Sequence, residues 1–232
     1  MIMETTMNKE ASKIALTRYK FKKFGGEKIP DIVEYIRDYI VLNPNVTISL
    51  GCDSVQRRKK TIFAFTLMFY SISIKNGAHV VYFRENVNKI RDNHERLLKE
   101  AEFLQEIAEW LDSELSTFYT RQDLSDSEQR RYKFHLAKCN GEFSHVRPEN
   151  EDIVISNLTL TDVDKSREFR TIDLHLDYNP FEGKIDNRGY AKNKSNLAYR
   201  AYVPWLKGLN YRVFCKPFSP AAASAADLLL KN

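Results

Sequence analysis

The chain has 232 residues, of which 43% are hydrophobic and 29% charged, with a formal net charge of +5. That length suffices for a sizeable core, no apolar run approaches the ~20 residues of a membrane helix, and the start of the chain lacks a signal-peptide pattern, so cytoplasm is the expected compartment. The charge is compatible with a polyanionic partner without demanding one, and the three widely spaced cysteines, Cys52, Cys139 and Cys215, read as reduced thiols, not a disulfide framework.

Residues 1–12 are polar, Met-rich and without a period, which predicts a frayed segment. Basic and aromatic residues interleave over residues 17–24, before Gly25 and Gly26. That pattern suits an arm that stacks on bases and neutralises phosphates, or an edge strand with its cations in solvent. Ile32, Ile36, Tyr39 and Ile40 fall at helical spacing; Pro30 is expected in the first turn, and Asn43-Pro44 ends the helix. Val46 to Cys52 reads as a short buried strand ending at Asp53. Arg57-Arg58-Lys59-Lys60 reads as a solvated turn, and Thr61 to Ser73 as a second strand. Asn76-Gly77 signals a tight turn before a third strand, Ala78 to Arg84. Three strands in succession with short turns imply an antiparallel meander.

From Arg91 to Leu115 the apolar residues Leu97, Leu98, Ala101, Leu104, Ile107, Ala108 and Leu111 make a helical stripe. Glu100 borders or joins its buried face, whereas Glu95, Glu102, Glu106 and Glu109 fall outside. Gln122 to Arg131 suits a loop or the start of an exposed helix, Ile153 to Leu160 a strand, and Asp162 to Glu168 a turn. Phe169 to Asp177 is a further strand, with Asp173, His175 and Asp177 on one face at period two. A Gly- and Lys-containing loop leads to a helix over Ser195 to Leu209, a last strand over Tyr211 to Lys216, and an Ala-rich helix from Ala221 to Leu230 that carries Asp227. The expected organisation is a partly disordered arm over residues 1–28, then a single domain over 29–232 with an insertion at about 116–168.

An ionised carboxylate at the end of a buried strand costs free energy unless a cation or donors compensate it. Asp53 is therefore the first candidate for chemistry. Glu100, Asp177 and Asp227 stand out beside it by position: one on the long helix, one ending a later strand, one on a terminal apolar helix. Arg57, Arg58, Lys59 and Lys60 follow Asp53 and are expected at the same rim, with Lys192, Lys194 and Lys216 on the other side and His175 as a weaker contact; a solvated surface is the alternative for these cations. His135, Cys139 and His145 lack a recognised zinc spacing and a fourth ligand.

Leu50-Gly-Cys-Asp-Ser54, Arg96-Leu-Leu-Lys-Glu100, Leu174-His-Leu-Asp-Tyr-Asn179, Lys194-Ser-Asn196 and the run from Lys216-Pro through the alanines to Asp227 resemble the predicted ribonuclease H-related nucleases of the YkuK-like family. The resemblance covers roughly residues 29–115 and 169–232, and departs from the family at Cys52, where Thr is usual, and in a longer middle region. It implies an α/β fold of the ribonuclease H-like class: a mixed sheet, with an antiparallel three-strand meander followed by parallel strands and flanking helices. It also implies a divalent-metal-dependent nuclease. Two-metal hydrolysis of a phosphodiester needs carboxylates that hold the ions about 3.5–4 Å apart, and hard oxygen ligands select Mg²⁺ or Mn²⁺. By resemblance Asp53 bridges both ions, Glu100 and Asp177 each complete one site, and Asp227 adds a ligand from the last helix. The implied partner is nucleic acid: DNA, RNA or a hybrid. The competing readings are a catalytically inactive nucleic-acid-binding module of the same fold, and an actin-like ATPase, for which the chain is short and no second phosphate loop is visible.

Overall fold

Three long strands and one long helix organise the chain. The computed structural model describes residues 18–43, 46–70, 78–116, 125–143, 145–161, 169–180 and 194–231. The segment 1–12, Thr17, Pro44, Asn76-Gly77, Asp162 to Glu168 and the Gly- and Lys-containing loop with Lys192 lie outside the described residues.

In chain order the elements are β1 (Lys22–Lys23), α1 (Ile32–Leu42), β2 (Thr47–Arg57), β3 (Lys60–Tyr70), β4 (Ala78–Asn88), α2 (Asn93–Leu115), α3 (Asp126–Cys139), α4 (Glu151–Asn157), β5 (Ile172–Leu176), α5 (Lys194–Gly208), β6 (Val213–Phe214), a π-helical segment (Ala221–Ala226) and α6 (Asp227–Lys231). The strands form one six-stranded sheet in the order β1–β4–β3–β2–β5–β6. β1 to β4 pair antiparallel, and β5 and β6 add in parallel beside β2. This is the expected mixed α/β sheet.

Alternation divides β2, β3 and β4 into two faces. Ile48, Leu50 and Cys52 lie opposite Phe69, Leu67 and Phe65, and Phe65 lies opposite Phe83. This face is packed against α2, whose Phe103 meets Phe63 and Phe65 edge-on at 5.2 and 5.8 Å. Leu104, Ile107, Ala108 and Leu111 of α2 are fully buried in the same core. The opposite face presents Ser49, Gly51, Asp53 and Val55, opposite Met68, Thr66, Ala64 and Ile62. The C-terminal segment covers it, with Ala226, Leu229 and Leu230 closing over Ala64.

Several boundaries move from their expected places. α1 starts at Ile32 because the Asp31 carboxylate accepts from the amides of Val33 and Glu34, which makes Asp31 the N-cap and leaves Pro30 outside the helix. β2 continues through Arg57 and turns over Arg58-Lys59 into β3, with Arg58 at φ 36. Asp53 is therefore inside a strand, not at its end. β4 extends to Asn88, while β5 and β6 are shorter than expected. Ile153 to Leu160 is not a strand: α4 occupies Glu151–Asn157. Its β-branched residues find no neighbouring strand among the described residues, and Ile155 alone of the helix is buried. Local β-propensity yields there to tertiary context. Of the two readings of Gln122 to Arg131, the helix holds from Asp126, where Ser125 and Glu128 form a capping box.

The interleaved basic-aromatic stretch forms an edge strand over its described residues. Two of its aromatic side chains point inward and Phe24 is exposed: Phe21 lies 4.7 Å from Phe83, and Tyr19 lies 5.3 Å from Phe83 and 5.4 Å from Trp110 between ring centroids.

Candidate active site

The site begins where a ladder stops. β2 and β3 pair along their whole length, but the parallel ladder between β2 and β5 ends at Cys52↔Leu176. Asp53 and Asp177 are the next residues on these two neighbours and lie on the same face. Adjacent strands run about 4.8 Å apart, so the two carboxylates emerge side by side where the strands part. Asp177 places Oδ2 2.8 Å from Lys216 Nζ, while its Oδ1 is buried without a hydrogen-bond partner. An orphaned buried carboxylate oxygen is uncommon in a folded protein.

Glu100 arrives from α2, on the other face of the sheet. It is 1% exposed, which resolves its position on the helix: it joins the buried stripe. The Ser54 hydroxyl donates to its Oε1 at 2.5 Å, and Arg96 Nη1 lies 3.0 Å from the same oxygen. Arg96 also donates to the Ser54 backbone carbonyl at 2.8 Å. Ser54 follows Asp53 directly, so the β2 backbone fixes both acids at once. Sequence reasoning placed Ser54 and Arg96 among residues carrying the resemblance but gave neither a role. The i, i+4 spacing of Arg96 and Glu100 on a helix was the available signal.

Asp227 arrives last, from the C-terminal segment, and a glycine makes its approach possible. A Cβ on Gly51 would sit 2.5 Å from the backbone of both Ala221 and Ala222. With no side chain there, the segment lies directly on β2 two residues before Asp53. Thr66, opposite Gly51, donates to the Ala221 carbonyl at 2.6 Å. At the far end Arg57 donates to Leu230 O at 3.1 Å, and Arg84 donates to Leu229 O. These two guanidiniums satisfy carbonyls that a helix C-terminus leaves open. Asp227 itself is paired with Lys231 at 2.5 Å.

Three of these acids feel burial and their neighbours. Burial raises the Asp53 carboxyl to about 6, with Asp177 and Asp227 adding to the rise and the Ser54 amide opposing it. Burial raises Glu100 to about 8, against the Ser54 hydroxyl and Arg96, with Asp53 and Asp177 pushing further up. Asp177 is raised as well, by burial first and Asp227 after it, despite Lys216. Carboxyls pushed upward by burial and by each other mark a place where negative charge is concentrated and undercompensated.

The remaining candidates separate into groups. Lys216 is part of the cluster through Asp177. Lys194 pairs at 2.6 Å with Asp92, the N-cap of α2, and holds that carboxyl down at about 2. Arg58, Lys59 and Lys60 are exposed at the hairpin tip, roughly 13–17 Å along β2 from Asp53. Arg57 sits there too, bound to Leu230. His175 is buried: its Nδ1 accepts from the Ala221 amide at 3.2 Å. Asp173 forms a buried two-pronged ion pair with Arg212, at 2.8 and 2.5 Å. His135 lies 3.1 Å from Val213 O and accepts from the Cys215 amide. It serves the backbone of the sheet edge.

A divalent cation fits this donor set in chemistry. All four side chains offer hard carboxylate oxygens, and the orphaned Asp177 Oδ1 is an acceptor lacking a cation. In placement the fit is incomplete. Among the described residues no three His, Cys, Asp or Glu side chains are grouped closely enough to hold an ion. Lys216, Lys231 and Arg96 instead each engage one of the acids, so loading the centre requires those cations to give way. No helix among the described residues is long and apolar enough to cross a membrane.

In comparisons with known proteins, residues 29–136 match the family model described as Ribonuclease H-like. The match spans α1, the meander, α2 and most of α3, and so includes Asp53 and Glu100 but not Asp177 or Asp227. No curated protein and no solved structure matches the chain. That match covers just under half of the chain, and a mixed sheet in which parallel strands extend the antiparallel meander is consistent with a ribonuclease H-like fold.

Proposed function

We propose that this chain is a nuclease that hydrolyses phosphodiester bonds with Mg²⁺ or Mn²⁺ held by Asp53, Glu100, Asp177 and Asp227. The observation that carries this reading is the placement of Asp53 and Asp177 side by side where β2 and β5 part, with Glu100 tied to Ser54 next to them and the charge of Asp227 felt at both aspartates. Structural ion pairs would hold such carboxyls down; Asp53, Glu100 and Asp177 are held up, chiefly by burial. When bound, the ions supply Lewis acidity and a nucleophile from water at neutral pH.

The chain's own residues provide the rest. Asp53, fixed in the β2 ladder, is central because it lies beside Asp177 and adjoins Ser54, which holds Glu100. Ser54 and Arg96 keep the Glu100 carboxylate aimed past the strand. Lys216, once free of Asp177, is positioned to meet a phosphate oxygen, and Arg58, Lys59 and Lys60 offer further phosphate contacts along the same strand. Lys194 shares this role, whereas His175 is too enclosed to touch a backbone phosphate.

The test is a cleavage panel with single-stranded, duplex, hybrid and branched substrates, with Mg²⁺ and with Mn²⁺. Asp53→Asn is expected to lower the rate by at least about 100-fold. Absence of cleavage on every substrate with either ion defeats the nuclease reading. A second reading is a nucleic-acid-binding module without catalysis, favoured by the engagement of the acids with Lys216, Lys231 and Arg96. It predicts salt-sensitive binding that Asp53→Asn leaves unchanged.

A further inference from the structure

The face that carries Asp53 also carries a cavity that the nuclease reading does not use. It has a volume of about 370 Å³ and lies at the opposite end of β2, beside Ser49 and Met68. Ser49 is four residues before Asp53, about 13 Å along the strand. The crossing of Ala221 over Gly51 separates the two places. The volume is within the range of small-molecule sites, and the walls have the usual character of one: largely apolar, with a few converging polar groups.

Two of its buried polar residues offer donors; the carboxylates of Glu128 and Asp173 and the guanidinium of Arg131 also line it. His175 lines the cavity and is 5% exposed. Its Nδ1 accepts from the Ala221 amide, so its proton is on Nε2, and that N–H meets no acceptor among the described residues. Arg212 spends Nε and Nη2 on Asp173, and the Nη1 donors remain. The Asp173 carboxylate cancels the guanidinium charge, so the floor is neutral and favours an uncharged ligand over an anion. The walls are rings: Tyr132, Phe214 and Phe218. Tyr132 and Phe214 lie 5.3 Å apart between centroids.

We propose that this cavity is a nucleobase pocket, taking a planar, uncharged ring whose carbonyl oxygens accept from His175 Nε2 and Arg212 while its faces pack on Tyr132, Phe214 and Phe218. Uracil, thymine and guanine carry such oxygens; adenine does not. The base has two sources, a free nucleoside or an unstacked nucleotide of a bound strand. The second rests on the nuclease reading, whereas the pocket itself does not. Stacking on aromatic side chains is how proteins hold splayed bases.

The test uses the full-length protein with uridine, guanosine and adenosine, by saturation-transfer NMR and calorimetry. Uridine and guanosine are expected to bind, and adenosine at least about tenfold more weakly. His175→Ala is expected to weaken uridine binding about tenfold. Phe218→Leu, at a half-buried wall position, does so by at least about fivefold, with thermal melts confirming that each variant folds. Asp53→Asn leaves nucleoside binding intact, so the pocket and the cleavage centre succeed or fail separately. Displacement of uridine by a short single-stranded oligonucleotide supports the strand as source; retention of uridine supports the free nucleoside. No binding of uridine or guanosine at millimolar concentration, or equal binding of adenosine, overturns the proposal.

Discussion

The two faces of β2 obey opposite rules although their residues alternate along one strand. Towards α2 the strand presents Ile48, Leu50 and Cys52 to a continuous core of aliphatic and aromatic side chains. Towards the C-terminal segment it presents a hydroxyl, a bare backbone and a carboxylate: Ser49, Gly51 and Asp53. The first face is built for packing density, the second for approach. Gly51 admits the chain, Thr66 fastens it, and Asp53 is left beside Asp177 with too little positive charge nearby. The packed face contributes Glu100 to the candidate site, while Asp53, Asp177, Asp227 and the cavity lie on the other.

Substitutions sharpen this contrast in order of size. Leu50→Ala, in the packed face, is expected to lower stability by about 2–5 kcal/mol in denaturant unfolding. A loss below about 1 kcal/mol would mean that this face is not the main core. Gly51→Ala adds a single methyl on the other face and forces it against the Ala221 backbone, for an expected loss of about 1–3 kcal/mol. Hydrogen exchange should then quicken at Leu229 and Leu230 while the amides of α2 stay protected. If both regions loosen together, the two faces are not energetically distinct.

The acids predict a smaller effect with a definite sign. Glu100 rises from 4.5 to about 8 on folding and Asp53 from 3.8 to about 6, both chiefly by burial. Between about pH 4 and 8 the folded chain therefore binds more protons than the unfolded one, and their contribution to stability is lost as pH rises through that window. Metal-free protein should melt lower at pH 8 than at pH 5, at about 2–4 °C per kcal/mol. Glu100→Gln should flatten the slope, and Mg²⁺ should raise the melting temperature more at pH 8 than at pH 5. A flat profile in the unaltered protein would show that the acids are better compensated than their burial indicates. Smallest of all, Arg84→Ala should cost about 1 kcal/mol through the lost bond to Leu229 O, read in the same melts.

Much of this was legible in residue order. The helical stripe of α2, the strand texture of β2 and β3 and the isolation of Asp227 on an alanine-rich run all carry local signals of period or composition. Glu100 was ambiguous by periodicity because it borders the stripe; only the packing of α2 on Ser54 buries it. The extension of β2 past Asp53 was hidden because a Gly-Cys-Asp-Ser run resembles a strand end, while the hairpin at Arg58-Lys59 lacks the usual Asn-Gly signature. Ile153 to Leu160 misled because β-branched composition says nothing about whether a neighbouring strand exists. The cavity was invisible, since its walls come from β2, β3, α3, β5 and the C-terminal segment.

The hydrogen bond from Arg57 to Leu230 O has a temporal consequence. Its partners are 173 positions apart in sequence, so forming it closes a loop of nearly the whole chain. Non-local closures of this kind are slow to form because loop entropy must be overcome first. The acid cluster, which takes Asp227 from the same end of the chain, is expected to come together late. A chain still on the ribosome, or one trapped part-way, would carry the meander and α2 without an assembled centre. Such timing would keep an incomplete chain from gathering the four acids ahead of the rest of the fold.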